Sequence, residues 1–215
     1  MRLFGSGGFH GIRRHAAWRR AALAGVLVPA LVPMLAGCSS LGSKAPPPTY
    51  ELFAARDFPR HAGGGRGQLI VQEPTALSAL DSDRIMVRLA DGGIAQLPNA
   101  QWEDRLPKLL QARIVQSFEN GNRLRAVGRP GDRLAADYQL VTDIRAFQIS
   151  APDGTAEVEI AAKIVRDRTG RIGPAKVFKV SVPTDSTEGP AAVAALNAAF
   201  TRAAKQMVIW ASRYI

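Results

Sequence analysis

An uncharged apolar stretch near the start of the chain, residues 21–34, divides the sequence into two parts of different character. A helix of about 14 residues is too short to cross the ~30 Å hydrocarbon core of a bilayer, and Pro29 and Pro33 would interrupt it. Five arginines and no acidic residue precede the stretch. A basic region followed by a short apolar one is typical of a cleaved signal peptide, so we expect the fold to be built from the residues that follow.

The only cysteine of the chain stands directly after this region, at the end of Leu35-Ala36-Gly37-Cys38. These four residues resemble the bacterial lipobox, and the resemblance implies cleavage between Gly37 and Cys38, a diacylglycerol thioether on the Cys38 sulfur and acylation of the new amino terminus. A lone cysteine is more often a buried apolar side chain, but here the basic region, the apolar stretch and the small residues all end at one position. We therefore predict that residues 1–37 are a lipoprotein signal peptide and that Cys38 is lipidated, since several acyl chains anchor a protein stably.

The residues after Cys38 are small, polar and rich in proline. Residues 38–49 are therefore predicted to be a tether, which residues 46–48, all proline, stiffen toward an extended form, and residues 50–215 to be a single folded domain. In lipoproteins of enteric-type bacteria, an aspartate directly after the lipidated cysteine favours retention in the inner membrane. The serine at this position, Ser39, favours the outer membrane, with the domain on its periplasmic face.

The composition excludes several classes of protein. A chain with 47% hydrophobic and 21% charged residues is globular, and one cysteine cannot build a disulfide framework or a cysteine-based zinc site. The net charge of +10 includes the five arginines of the signal peptide, so the mature chain carries only about +5 with its charges interspersed. Nucleic acid is therefore not expected as a partner.

Most of the mature chain has the residue types and the alternation of β-strands. In the longest candidate, residues 136–149, Leu140 and Ile144 share one parity and Phe147 has the other, which predicts a bulge near residues 145–146. The last three strands are joined by short turns, which predicts an antiparallel meander. The predicted strands are 49–54, 68–72, 84–90, 94–97, 124–127, 136–149, 157–164 and 176–182.

Two segments have the apolar spacing of helices. In the first, an apolar residue recurs every four positions from Leu106 to Phe118, Pro107 suits a first helical position, and Gly121 is the predicted stop. Two helices and seven or eight strands predict an α+β fold, with a mostly antiparallel sheet and both helices on one face. The apolar stripe of the second helix consists of Val193, Leu196, Phe200, Ala203, Ala204, Met207, Trp210 and Tyr214.

A set of short motifs, in a fixed order and spacing, carries a resemblance to a known family. The mature chain resembles the ABC-type transport auxiliary lipoproteins, the family of paraquat-inducible protein C, over residues 50–214. It departs from the pattern at residues 96–98, where an aromatic residue is expected before the tryptophan segment. The motifs are Tyr50-Glu51-Leu52, the segment 80–88, Asn99-Ala100-Gln101-Trp102, Tyr138-Gln139-Leu140 and the segment 143–147.

The resemblance implies a set of partners rather than a reaction. Proteins of this kind accompany an ATPase, a permease and a substrate-binding protein of the mammalian-cell-entry type. Such systems move phospholipid or other apolar molecules between the two membranes of a Gram-negative envelope. The resemblance implies that the lipoprotein holds the periplasmic assembly at the outer membrane, and we expect it to need no cofactor.

Residues suited to catalysis are few. His61 is the only histidine outside the signal peptide, and no residue around it has the spacing of a metal site or a catalytic triad. Asp81 and Asp83 precede a strand, and Glu157 and Glu159 lie on the polar face of another, where solvent accounts for them. We therefore predict no enzymatic activity, no catalytic residue and no metal site.

Trp102 and Arg105 are candidate partner contacts, because tryptophan and arginine dominate the binding energy of interfaces. The alternative for Trp102 is an aromatic plug at the start of the first helix, and we expect Phe200 and Trp210 to lie in the core. Two other interpretations of the whole protein stay open. One is a stand-alone lipoprotein that binds an apolar ligand between sheet and helices, and the other is an envelope hydrolase, for which the sequence displays no nucleophile and base.

Overall fold

The computed structural model describes residues 46–59, 67–184 and 186–215. All of them belong to the unit Pro46–Ile215, which has its own hydrophobic core. The predicted signal peptide, the lipidation site Cys38 and most of the tether lie outside these residues, and so does His61. Neither of the two helices in the described ranges is long and apolar enough to cross a membrane.

The described residues form nine strands and two helices, with one helix in the middle of the chain and the other near its end. The elements are β1 (Thr49–Tyr50), β2 (Gln68–Val71), β3 (Thr75–Ala76), β4 (Arg84–Arg88), β5 (Ile94–Trp102), α1 (Leu106–Gly121), β6 (Ala126–Gly128), β7 (Tyr138–Ser150), β8 (Thr155–Arg166), β9 (Ile172–Pro183) and α2 (Gly189–Ala211).

Strand β7 lies at the centre of a nine-stranded sheet. On one side it pairs along its length with β8, which pairs in turn with β9, and both ladders are antiparallel. On the other side the short strands β2, β3 and β4 follow one another, each parallel to β7. β5 lies antiparallel to β4, β1 parallel to β5, and β6 parallel to β2. The sheet is therefore mixed, with its longest ladders antiparallel.

The predicted α+β fold is confirmed. Helix α2 packs against β8 and β9, α1 packs against α2, and one continuous core lies between the helices and the sheet. The short parallel ladders are an addition to the predicted antiparallel sheet. Parallel neighbours need a crossover between them, and α1 lies in the connection from β2 to its parallel neighbour β6.

The bulge predicted in β7 is confirmed. The register between β7 and β8 shifts between Ile144 and Ala146, so that Arg145 has no partner in the ladder. The extra residue returns Phe147 to the face on which Leu140 and Ile144 lie, and all three side chains are at most 1% exposed. The bulge therefore places the Phe147 ring in the core.

Helix α1 buries its predicted apolar stripe, in which Leu106, Phe118 and the residues between them at the same spacing are at most 1% exposed. The helix ends at the predicted stop, Gly121, and the left-handed residue that follows it is Asn122, at φ 45°. Gly121 is the last helical residue, and a Cβ atom there would come within 2.8 Å of Val208 Cγ1. A glycine is needed at this position because α1 and α2 approach each other closely, and not for its backbone conformation.

Helix α2 places the largest side chains of its apolar stripe against the sheet. Phe200 is fully buried, and its ring centroid lies 6.2 Å from that of Phe147. Trp210 meets Phe178 edge-to-face at 5.5 Å. Tyr214 lies beyond the end of the helix and is 47% exposed, so its predicted place in the buried stripe is wrong.

Several predicted strands have different bounds in the structure. β1 ends at Tyr50, whereas the pattern predicts a strand to residue 54, and β6 begins at Ala126 rather than at residue 124. β5 is longer than predicted and runs through Pro98 to Trp102. The β4–β5 register is irregular over this stretch, and an irregular stretch tolerates a residue without an N–H group.

Candidate functional site

The segment directly after the tether, residues 51–59, lies against both helices without forming a strand, and we call it the strap. Leu52 and Ala55 of the strap are at most 1% exposed, whereas Phe53 is 56% exposed. The strap follows β1, whose pairing with β5 is the first contact of the described chain with the sheet. β1 and the strap together therefore join the domain to the predicted tether.

Helix α2 holds the strap through the side chain of Asn197. Its Oδ1 accepts the N–H of Phe53 at 2.7 Å, and its Nδ2 donates to the carbonyl oxygen of Glu51 at 3.1 Å. Asn197 is only 6% exposed, so both bonds are shielded from water. One side chain thus satisfies two backbone groups that have no partner strand.

Helix α1 and the second half of α2 hold the rest of the strap. Ser117 Oγ accepts the N–H of Ala55 at 2.9 Å, and Asn120 Nδ2 donates to the Ala55 carbonyl oxygen at 2.8 Å. Lys205 Nζ donates to the carbonyl oxygen of Asp57 at 2.5 Å. Helix side chains therefore take the place that a neighbouring strand has in a sheet, and they give backbone groups of the strap partners although it belongs to no ladder.

Replacing Asn197 with Ala is expected to destabilise the unit by about 1–3 kcal/mol, because the Phe53 N–H and the Glu51 carbonyl oxygen then lack partners. Urea denaturation of residues 46–215 measures the change, and hydrogen exchange at the Phe53 amide should become faster. Gln206→Ala, at an exposed position of the same helix, is the control and should change the stability by less than about 0.5 kcal/mol. Equal effects at both positions, with unchanged exchange at Phe53, would contradict this role of Asn197.

Few features of the sequence indicate the residues that bind the strap. The usable signal is the position of Asn197 between Leu196 and Phe200, inside the apolar face of α2. A polar side chain on a buried face needs a hydrogen-bond partner, so this position indicates a contact. The partner itself lies 144 positions earlier in the chain, and no local pattern identifies it.

Trp102 lies in the core and not at the surface. Its side chain is 1% exposed, and its ring meets that of Phe147 edge-to-face at 5.8 Å. The structure therefore corrects the candidate assignment of Trp102 as an exposed partner contact and agrees with the alternative, an aromatic plug before α1. A partner can contact Arg105 at this place but cannot reach the Trp102 ring.

Arg105 is half exposed, and acidic neighbours surround its guanidinium group. Its Nε donates to Asp81 Oδ1 at 2.9 Å, and another of its nitrogens lies 3.6 Å from Glu73 Oε1. The hydrogen bond with Asp81 is the main cause of the raised pKa of Arg105. Arg105 stays a candidate partner contact, but its charge already ties the start of α1 to the turn before β4.

The two carboxylate pairs considered for catalysis are bound to separate cations. Asp83 lies 3.5 Å from Arg84, while Asp81 binds Arg105. On the polar face of β8, Glu157 Oε1 lies 3.2 Å from Arg88 Nη2, and Glu159 Oε2 lies 3.5 Å from Lys179 Nζ. The sequence predicts that Glu157 and Glu159 lie on a polar face because solvent hydrates them. In the structure, ion pairs with Arg88 and Lys179 also account for their position. Within residues 46–59, 67–184 and 186–215, no three His, Cys, Asp or Glu side chains are arranged to hold a metal ion.

Arg88 also belongs to a polar network that closes the turn between β7 and β8. Its guanidinium donates to Ser150 Oγ at 2.8 Å and to Asp153 Oδ2 at 2.9 Å, and the Ser150 hydroxyl donates to Asp153 at 2.5 Å. The bond from Ser150, followed by that from Arg88, lowers the pKa of Asp153. The ionised carboxylate therefore stabilises the turn above the ordinary aspartate pKa, and this contribution is lost as the pH falls through the lowered value.

Two solved structures resemble this fold. Protein XCC0632 from Xanthomonas campestris, described as a DUF330 protein, has a TM-score of 0.69 and 28% sequence identity, and the match covers 77% of this chain and 95% of that one. The crystal structure of an uncharacterized protein has a TM-score of 0.58 at 14% identity, with 76% and 97% covered, and shows likeness of fold alone. The matched part of this chain corresponds to almost the whole of both proteins.

Sequence comparison extends the likeness to a curated relative and a family. The uncharacterized protein bll6063 of Bradyrhizobium diazoefficiens is 37% identical over 182 residues, which cover 82% of this chain and 49% of the relative. The chain thus spans about half the length of the curated relative it matches. The family model for the ABC-type transport auxiliary lipoprotein component matches residues 50–208. This match takes in the strap, the sheet and nearly all of α2, and the chain belongs to the family of ABC-type transport auxiliary lipoprotein components.

Proposed function

We propose that this protein is a non-catalytic adaptor, anchored by lipid to the periplasmic face of the outer membrane, for an ABC transport system with a mammalian-cell-entry-type substrate-binding protein. The observation that carries the proposal is the family match over residues 50–208, almost the entire folded unit. The lipobox-like sequence ending at Cys38 supports the anchor, and Ser39 supports the outer membrane. Transport of lipid is the activity of the assembly and not of this chain.

The tether and the strap suit an adaptor mechanically. About ten residues between Cys38 and Thr49, at up to ~3.1 Å each, reach on the order of 30 Å, so the domain stays close to the membrane. Confinement near the membrane raises the effective concentration of the domain for a partner assembly, so a weak contact suffices. After β1, the strap joins the tethered end of the domain to both helices through its hydrogen bonds with Asn197 and Ser117.

The interior of the domain supports the adaptor over the alternative of an apolar ligand-binding protein. The space between the sheet and α2 is filled by the rings of Phe147, Phe178 and Phe200, each at most 1% exposed. The hollow beside the strap, about 560 Å³, is open at the surface, and the charged side chains of Arg56, Arg202 and Lys205 share its lining with Phe53 and two alanines. An apolar ligand is buried on most sides by apolar side chains, and these surroundings do not provide that.

Affinity purification from the cell envelope tests the adaptor function. The full-length protein carries a carboxyl-terminal tag, and the comparison protein joins residues 1–49 to an unrelated periplasmic domain, so that both share the same anchor and tether. We expect an ATPase, a permease and a mammalian-cell-entry-type protein to be recovered with the full-length protein and absent from the comparison. Equal recovery with both proteins, or no transport component with either, would overturn the proposal.

A further inference from the structure

The turn between β8 and β9, residues 166–171, carries Arg166, Arg168 and Arg171, and we call it the arginine turn. All three residues are exposed, and none forms a salt bridge with another described residue. Other arginines of the unit do form ion pairs, and several outside the turn, Arg202 among them, form none with the described residues. The arginine turn is distinguished by three exposed arginines without a salt bridge within six residues. The ion-paired arginines are Arg84, Arg88, Arg105, Arg113 and Arg145.

Two acidic residues, Asp137 and Asp167, lie in or near the arginine turn. The carboxylate of Asp137 accepts the backbone N–H of Gln68 at 3.0 Å, and that of Asp167 accepts the side-chain amide of Gln139 at 2.6 Å. Both carboxylates keep their negative charge, and Asp137 lines the larger of two hollows beside the turn. Neither forms a salt bridge with the three arginines, so the described part of this surface carries three guanidinium groups against two carboxylates.

Two surface hollows, of about 600 and about 350 Å³, meet beside the arginine turn. Tyr138 and Arg166 line both of them, and Arg168 and Arg171 line one each. The Arg166 guanidinium lies 5.5 Å from the centre of the Tyr138 ring, an arrangement that holds this charge in place. Ile172, 61% exposed, adds apolar surface to the smaller hollow.

The arginine turn lies at the end of the sheet remote from the tether. The carbonyl oxygen of Pro48, just before β1, accepts the N–H of Gln101 in β5. Because β1 runs parallel to β5, the chain before Pro48 leads toward the turn between β4 and β5. Beside that turn, Arg88 pairs with Ser150 at the last residue of β7. The tether thus reaches the sheet near the middle of β7, roughly 25 Å from Tyr138 at about 3.3 Å per residue.

We propose that the arginine turn and its two hollows bind an acidic segment of a protein partner, an assignment that rests on the proposed adaptor function. Guanidinium groups bind carboxylates through paired hydrogen bonds, and arginine and tyrosine are enriched in protein interfaces. The two hollows and the exposed Ile172 offer a concave and partly apolar surface, which suits a peptide segment better than the flat headgroup layer of a membrane.

Direct binding of an acidic probe tests the surface. The unit Pro46–Ile215, which contains the whole core, is titrated into a fluorescein-labelled octapeptide of alternating glutamate and leucine, and anisotropy gives the dissociation constant. R168E/R171E is expected to weaken binding at least tenfold, whereas the charge-retaining R168K/R171K should bind within about threefold of the wild type. Arg166 is left in place because of its contact with Tyr138.

A matched control separates the site from the net charge. R56E/R202E removes the same charge at two exposed positions in and beside the strap and should bind the acidic peptide like the wild type. Equal weakening in R168E/R171E and R56E/R202E, or binding no stronger than that of a lysine–leucine octapeptide, would overturn the assignment. Sedimentation of the unit with phosphatidylglycerol vesicles that is lost in R168E/R171E would also overturn it, in favour of a membrane surface.

The affinity purification of the full-length protein distinguishes this inference from the adaptor function. If R168E/R171E loses the transport components that wild type and R56E/R202E recover, the arginine turn is the contact. If all three proteins recover them equally, the surface is wrong while the adaptor function stands. If the wild type recovers none, the adaptor function fails, and the peptide titration alone decides whether the turn binds an acidic segment.

Discussion

Replacing Cys38 with Ala is expected to abolish acylation and to leave an uncleaved precursor. The chain has no other cysteine, so no second thiol can take the diacylglycerol group, and processing follows lipidation in the pathway that the lipobox-like sequence implies. The loss should be complete, because several acyl chains provide stable anchoring that the domain does not replace. Metabolic labelling with a fatty acid analogue, followed by membrane fractionation, measures both effects.

A tether substitution provides the control for this experiment. Ser43→Ala leaves the residues around the cleavage position unchanged, and the protein should be labelled and fractionate like the wild type. A Cys38→Ala protein that still takes up the label and still sediments with the outer membrane would show that the lipobox interpretation is wrong.

Phe200→Ala is expected to destabilise the folded unit by about 3–5 kcal/mol, as large aromatic truncations do in well-packed cores. Phe200 is fully buried in α2, and its ring lies against that of Phe147 in the central strand. The substitution therefore opens a cavity between the helix and the sheet. Chemical denaturation of residues 46–215 measures the change in the free energy of unfolding.

The control for Phe200 lies two positions further along the same helix. Arg202 is exposed and forms no salt bridge with another described residue, so Arg202→Ala should change the stability by no more than about 0.5 kcal/mol. Small and equal effects at both positions would mean that α2 does not pack on the sheet as described.

The meander from β7 to β9 could be predicted because its information is local. Alternation in β8 and the parity change between Ile144 and Phe147 lie within single strands, and the turns between the strands are short. The parallel ladders could not be predicted in the same way. Thr75 and Ala76 form a strand only because β7 passes beside them, and two residues carry no period.

The strap is a second segment whose hydrogen-bond partners could not be predicted from local sequence patterns. The sequence favours a strand over residues 49–54, but the strand ends at Tyr50, and beyond it the partners of the backbone N–H groups of Phe53 and Ala55 are the side chains of Asn197 and Ser117. These partners lie 144 and 62 positions away. Periodicity reports that a segment is extended and does not report what satisfies its hydrogen bonds.

The candidate site could be predicted only in part. The sequence places Trp102 before α1 and allows two roles for it, an exposed partner contact or a buried aromatic plug. The contact with the Phe147 ring shows that it is buried, and this contact joins residues that are far apart in the chain. The arginine turn appears in the sequence only as a turn, because the two hollows beside it are formed with residues from other parts of the chain, such as Tyr138. Cys38 lies outside the described residues and stays a prediction from the sequence.

The central claim is that the folded unit makes the partner contact and that the lipid only keeps it in place. The most direct test is affinity purification with a tagged Cys38→Ala protein whose residues 1–37 are replaced by a cleavable secretory signal, side by side with the lipidated wild type. Both forms are expected to recover a mammalian-cell-entry-type protein, with a smaller yield for the unanchored form. Recovery of no transport component by either form, together with turnover of an envelope substrate by the purified domain, would contradict it.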